Sequence, residues 1–211
     1  MSHTVQKSPA RRGRPRAYDP DTALARAMAV FWNAGYAGTS LDDLGAATGM
    51  NRPSLYGAFG DKRKLYRTLL DRYRAIARSG MSTALGGDLP LREALRRVYQ
   101  MALSLYLPRN AKARGCFWIS TAVTQSTIDP DVRADLADGL KDLDEGFEAR
   151  FRLARAKGEI PKRSNPAALA QIASATIYSL AIRSRAGASR ASLEKIARSA
   201  IDLMCGEETR S

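Results

Sequence analysis

Between positions 39 and 62 the chain carries Thr39, Ser40, Asn51, Arg52, Ser54, Tyr56 and Lys62, with Pro53 and Gly57 among them. Hydroxyls, an amide, a guanidinium and an ammonium are the groups that donate hydrogen bonds to phosphate oxygens. Arg52 is the one long side chain of the set that can present two parallel donors to the O6 and N7 edge of a guanine. Upstream, "RRGRPR" sets Arg12, Arg14 and Arg16 around Gly13 and Pro15, and no acid precedes Asp19. Gly13 permits close approach to a surface and Pro15 keeps the chain extended. The stretch therefore suits the narrow, negative minor groove of A·T-rich DNA. A plain basic tail that adds only counterion release is the other reading, and the residues alone leave both open.

The bulk numbers agree with a polyanionic partner. Lys and Arg total 34 against 21 for Asp and Glu, a formal charge of +13 over 211 residues. Such an excess favours nucleic acid first and an anionic membrane surface second. No apolar run approaches the roughly 18–20 residues that span a bilayer, and the polar N-terminus has no signal-like apolar core. With two cysteines and no disulfide framework, the expected compartment is a reducing cytoplasm. The single histidine is His3. No His-based triad or His-ligated metal site can be built in a folded region, so the chain is expected to be no enzyme and to need no metal or cofactor.

The elements that must position these residues read as helices throughout, with no alternating strand pattern. Residues 1–18 cannot bury a core and are expected to be disordered when free. Asp19, Pro20 and Asp21 start a first helix that ends at Gly35. Ser40 and Asp43 form a capping box for a short second helix stopped by Gly49. Asn51 caps a third, "RPSLYGAF", in which Leu55, Ala58 and Phe59 face inward while Pro53, Ser54, Tyr56 and Gly57 face out. Asp61 caps a long fourth helix expected to run to about Ser79. Further helices are predicted at about 91–107, 116–126, 131–157, 166–185 and 190–205.

Two short helices joined through Gly49 make a helix-turn-helix, which offers the N-terminal half of its second helix to a major groove about 12 Å wide. The segment "AMAVFWNAGYAGTSLDDLGAATGMNRPSLYGAFGDKRKLY" resembles the N-terminal domain of the TetR/AcrR family of bacterial transcriptional regulators. Ala27, Phe31, Gly35, Tyr36, Thr39, Ser40, Leu44, Ala47, Gly49, Leu55, Tyr56, Phe59, Lys62 and Leu65 carry the match. The resemblance implies that Thr39, Tyr56 and Lys62 touch phosphates, that Ser40 both caps and contacts, and that Asn51, Arg52, Pro53 and Ser54 lie nearest the bases. Gly57-Ala58 departs from the larger residues common in the family and leaves Arg52 and Ser54 with more of the readout. Gly57 costs about 1 kcal/mol in a helix relative to Ala, which either close approach of DNA or a packing need would explain.

The resemblance further implies an all-α fold in three parts. A flexible basic arm (1–18) precedes a three-helix helix-turn-helix DNA-binding domain (19–66). A long helix joins that to a C-terminal helical domain (67–211) for effector binding and dimerisation. The implied function is a ligand-responsive, sequence-specific repressor, homodimeric on a palindromic double-stranded operator. Effector binding would tilt the fourth helix. A sequence-indifferent nucleoid-type binder and an activator of the same fold remain alternatives. Apolar stripes on the last two helices, Leu169 to Leu180 and Leu193 to Met204, suit a core on one side and a second subunit on the other. An apolar or aromatic effector would sit among Tyr99, Leu103, Tyr106, Phe117, Trp118, Thr121, Phe147, Phe151 and Tyr178. Cys116, at an expected helix start beside Arg114, is either a thiol of lowered pKa suited to redox sensing or a small buried residue.

Overall fold

The computed structural model describes residues 19–86, 88–109 and 112–206; the arm with Arg12, Arg14 and Arg16 lies outside the described residues. Within them the regular structure is helical: α1 (Pro20–Ala34), α2 (Leu41–Thr48), α3 (Arg52–Phe59), α4 (Lys62–Leu85), α5 (Leu91–Tyr106), α6 (Phe117–Gln125), α7 (Pro130–Ala156), α8 (Pro166–Arg185) and α9 (Arg190–Cys205). No helix among the described residues is long and apolar enough to cross a membrane.

The boundaries follow the local chemistry. Asp19, Asp129 and Asn165 each accept hydrogen bonds from the first turn of the helix they precede, and each is followed by a proline. Proline has no N–H to leave unsatisfied there, and its fixed φ already fits the helix. Ser40 and Asp43 close a complete capping box, because the shorter Asp side chain still reaches the Ser40 N–H at 2.8 Å. α4 differs from expectation. It runs on through Gly80 to Leu85, because Gly80 lies where a Cβ would meet Met101 Sδ at 2.5 Å. That glycine serves close packing of α4 on α5 rather than a helix end.

Apolar burial is organised around α4. Its first half, Leu65 to Tyr73, joins Ala27, Phe31, Trp32, Leu44 and Leu55 of the N-terminal helices. The same cluster takes in Phe117, Trp118 and Ala122 of α6 and Val132 of α7. The end of α4, Met81 to Leu85, packs instead with α5, α7, α8 and α9. Each fully buried large side chain contributes on the order of 1.5–3 kcal/mol. The aromatic rings add geometry: Phe31 and Tyr66 stand 5.2 Å apart, Trp32 and Phe117 5.3 Å, and Trp32 meets Tyr73 edge-on at 5.5 Å. Offset and edge contacts of this kind are the favourable ones for aromatic quadrupoles.

Polar links tie the same helices together. Trp32 Nε1 donates to the Arg114 carbonyl at 3.0 Å, and the Arg114 guanidinium lies 4.0 Å over the Trp32 ring. From the end of α8, Arg185 donates to the carbonyls of Trp32 and Arg114. Tyr66 donates to Thr121 Oγ1 at 2.8 Å. Along α4, Arg63 is paired with Asp129, the N-cap of α7, and with Asp131, Arg67 with Asp131 and Asp135, and Arg74 with Asp138 and Asp142, the rest all on α7. The orientation of α1–α3 relative to α5–α9 is thus held by rings, backbone carbonyls and an arginine–aspartate ladder.

Candidate nucleic-acid interface

The turn between α2 and α3 is locked by its own backbone. Gly49 adopts φ 73° and ψ 18°, a left-handed conformation that glycine enters without penalty. Its N–H and that of Met50 both donate to the Gly45 carbonyl, at 2.9 and 3.2 Å. Thr48 Oγ1 donates to the Leu44 carbonyl and accepts from Met50 N–H. Leu44 and Leu55 are buried on the core of α1 and α4, which fixes the two short helices to that base. Asn51 Oδ1 then accepts from Ser54 N–H at 2.9 Å and starts α3.

The outward face of α3 is open. Asn51, Arg52, Pro53, Ser54 and Gly57 are exposed, and Tyr56 is 48% exposed. A Cβ built on Gly57 meets nothing within 4 Å. No packing contact inside the subunit therefore requires glycine at this position. Arg52 is held from the side: Nε and Nη2 donate to the two carboxylate oxygens of Asp42, at 3.0 and 2.7 Å. That hydrogen bond and the guanidinium charge hold the Asp42 carboxyl below its usual pKa. Lys62, the first residue of α4, places Nζ 4.3 Å from the centre of the Tyr36 ring, and partial burial lowers its pKa.

Thr39 is a correction to the sequence reading. It is only 2% exposed, and its hydroxyl proton goes to the Gly35 carbonyl at 2.7 Å. A phosphate contact needs a free donor at the surface, and Thr39 instead fastens the chain between α1 and α2. Ser40 is exposed, but its hydroxyl donates to Asp43 at 2.6 Å as part of the cap. Asp42, which no local pattern marks, is brought to the interface by the tertiary turn ten residues before its partner.

Three comparisons with known proteins bear on this geometry. Residues 23–69 match "Bacterial regulatory proteins, tetR family", and residues 92–200 match "Tetracyclin repressor-like, C-terminal domain". The chain belongs to the TetR family. Among relatives, the HTH-type transcriptional repressor ComR of Escherichia coli (strain K12) is 35% identical over 198 residues, 92% of this chain and 90% of ComR. The HTH-type transcriptional repressor BdcR of the same organism is 33% identical over 49% of this chain and 52% of its own length. Among solved structures, a cysteine mutant of the TetR family transcriptional regulator CifR, complexed with 26-bp double-strand operator DNA, superposes with a TM-score of 0.81 at 30% identity. That match covers 89% of this chain and 98% of the CifR chain.

In this TetR-family chain the C-terminal helices enclose two adjoining hollows. A cleft of about 860 Å³ lies against α4, α5, α7 and α8, and a slot of about 110 Å³ reaches from the same wall toward α6. Of the residues expected to line an effector site, Tyr106, Trp118 and Tyr178 do line one of the two. Tyr99, Leu103, Phe147 and Phe151 are packed inside the C-terminal core and line neither, while Phe117 and Thr121 belong to the contact with α1 and α4. The walls that composition alone did not single out include Ile76, Met81 and Met101, apolar residues on otherwise charged helices.

Cys116 caps the N-terminus of α6 and accepts a hydrogen bond from Tyr73 at 3.3 Å. Burial pushes its thiol pKa up, outweighing the helix N-terminus and its hydrogen bonds. Of the two readings of Cys116, the small buried residue fits and the thiol of lowered pKa does not, because desolvation of a thiolate costs more here than those donors return. Among the described residues no group of three or more His, Cys, Asp or Glu could hold a metal ion.

Proposed function

We propose that the chain is a homodimeric, ligand-responsive transcriptional repressor that seats α3 of each protomer in one half-site of a palindromic double-stranded operator. The observation that carries this is the bare outward face of α3, with Gly57 at its centre tolerating a Cβ yet having none. A helix can enter the major groove to base-edge distance only if that face is shallow. Asn51, Arg52, Pro53 and Ser54 approach the base edges, while Tyr56 and Lys62 meet the flanking phosphates; Ser40, whose N–H and hydroxyl both go to Asp43, serves as the cap of α2. Arg12, Arg14 and Arg16 add a contact to the neighbouring minor groove. The operator complex of CifR and the repressor names of ComR and BdcR support both the DNA target and the sign of regulation.

The dimer is supported by what α8 and α9 leave uncovered. Ile172, Ala175 and Ile182 of α8 and Ser199 and Leu203 of α9 are exposed at helical spacing, outside the buried stripe of each helix. Two such pairs make a four-helix contact. The effector enters through the hollows of residues 67–211 and shifts the equilibrium by binding the released state more tightly, with a coupling of about 1–3 kcal/mol.

The test is selection of bound sites from a random duplex library by the full chain, followed by competition with random duplex. Enrichment of a two-fold-symmetric site, with half-sites a helical turn or more apart, is expected. If random duplex competes as well as any selected sequence, specific reading by α3 is wrong.

A further inference from the structure

The slot beside α6 holds an unusual set of side chains. Tyr73 donates its hydroxyl to the Cys116 sulfur at 3.3 Å, and Tyr106 lines the slot beside it. Tyr178 lines the same slot, and its hydroxyl oxygen is buried without a hydrogen-bond partner. Leaving a buried hydroxyl unpaired opposes folding, and native proteins rarely keep such a group without a use for it. The remaining wall is apolar, from Ile119, Leu136, Leu140 and Ile177. Arg74 and Asp142 also border it, paired with each other at 2.5 Å, and Arg78 adds a longer contact to the same carboxylate.

We infer that the slot receives the hydrogen-bond-accepting oxygen of an uncharged, otherwise apolar effector, with Tyr178 as its donor and the adjoining cleft holding the apolar body. The inference rests on reading the C-terminal helices as the effector unit and names the chemistry of that site. Three features fix the class. The Tyr73 hydroxyl is already given to the Cys116 sulfur, whereas the Tyr178 hydroxyl is buried in the slot wall and has no partner. The slot, at about 110 Å³, is smaller than the roughly 150 Å³ cavity that accommodates benzene. It therefore takes a carbonyl-sized head and little else, while the cleft of about 860 Å³ shares Tyr73, Tyr106 and Ile177 with it and has room for a ring or chain.

Charge argues the same way. Arg74, the cation at the slot's edge, is already paired with Asp138 and Asp142, and the Asp144 charge acts on Tyr178 beside burial, so an anionic head would meet a like charge and an arginine already engaged. A cationic head would lose its hydration in an apolar slot whose one bordering carboxylate is already paired. Because burial and the neighbouring acids push the Tyr178 pKa up, the phenol stays protonated and remains a donor at all physiological pH.

Acetophenone, isopropylbenzene and benzoate have similar shapes and differ in the head group: neutral acceptor, apolar, anionic. Each is titrated calorimetrically into the free, full-length protein without DNA. Acetophenone is expected to bind most tightly. Tyr178→Phe should weaken it roughly three- to tenfold, about the worth of one hydrogen bond, and leave isopropylbenzene unchanged. The same substitution removes an unpaired buried hydroxyl, so the ligand-free variant should melt about 2–4 °C higher. A merely structural tyrosine would not show these opposite signs. No acetophenone binding at millimolar concentration, equal binding of isopropylbenzene, tightest binding of benzoate, or a lower melting temperature for Tyr178→Phe each overturns the inference. Since no DNA is present, failure to find an operator would leave this result standing, and the reverse.

Discussion

Arg52 and Asp42 grip each other across the turn of the reading head, through two hydrogen bonds of 3.0 and 2.7 Å between the first residue of α3 and the second of α2. Both side chains are well exposed, so the pair adds little to stability. Its effect is on what the DNA meets: a guanidinium already oriented and partly neutralised, beside a carboxylate that repels phosphate. Asp42→Asn should leave the melting temperature nearly unchanged and tighten binding to every duplex. The slope of log K against log salt should steepen by about one, as the freed Arg52 finds a phosphate. The preference for operator over random duplex should fall. Fluorescence anisotropy across a salt series reads all three, and unaltered binding would mean that Asp42 stands away from the duplex.

Gly57 gives a prediction with two signs. Nothing in the subunit fills the space its Cβ would occupy, so Gly57→Ala should stabilise the fold by about 1 kcal/mol through helix propensity. The added methyl stands on the face that enters the groove, so operator affinity should drop severalfold or more. Thermal melts and anisotropy on the same preparation check both. A variant that is more stable and binds unchanged would remove the close-approach argument.

Lys62 should act as a phosphate charge and carry no base information. Lys62→Ala is expected to weaken binding to operator and random duplex alike and to reduce the salt slope by about one. Lys62→Arg should restore most of both. The Tyr36 ring beneath Nζ holds the ammonium in place by a cation–π contact, so Tyr36→Leu should give a smaller loss in the same direction.

Much of this head was legible in the sequence because its signals are local. Caps at Asp19, Ser40, Asn51 and Asp61, prolines in first turns and Gly49 at the α2 end each act over three or four residues. What the sequence did not carry depends on contacts between distant segments. The Arg52–Asp42 pair spans two helices and a turn, and no helical spacing announces it. Thr39 carries a phosphate-binding hydroxyl by type, yet the fold buries it against Gly35. Phe117 and Thr121 have the composition of a pocket wall, but α6 turns them toward Trp32 and Tyr66. Cys116 has the helix N-terminus that activates a thiol, and only the packed surroundings show that burial prevails. Gly80 looked like a helix end because glycine marks both ends and close crossings.

The arginine–aspartate ladder between α4 and α7 predicts how stability depends on pH. The Arg63 hydrogen bond, with help from the Val132 and Asp131 N–H groups, holds the Asp129 carboxyl at about 2, against 3.8 for the free side chain. Between those values the folded chain binds fewer protons than the unfolded one. The contribution is therefore complete above about pH 4 and is lost as pH falls toward 2. Asp129→Asn keeps an N-cap residue for α7 and removes the charge. It should lower stability at pH 7 and flatten the loss between pH 4 and 2, as followed by denaturant midpoints. Parallel curves for the two proteins would show that Asp129 contributes as a cap alone.

Leu203 separates the subunit from the dimer. It is 84% exposed on α9, outside the buried stripe that includes Leu193, Ala197 and Met204, so its side chain supports little within its own subunit. A charge there costs the folded protomer little but would have to be desolvated unpaired in a four-helix contact. Leu203→Arg should therefore keep its helical circular dichroism and melting cooperativity while sedimenting as a monomer. Loss of the second head removes the linked second binding event, which is worth about 10²–10⁴ in affinity when two heads engage one site. Affinity for a two-half-site operator should fall by that order, while affinity for an isolated half-site stays where it was. A Leu203→Arg protein that remains dimeric would place the subunit contact on a different face from the one that Ile172, Ile182 and Leu203 leave open.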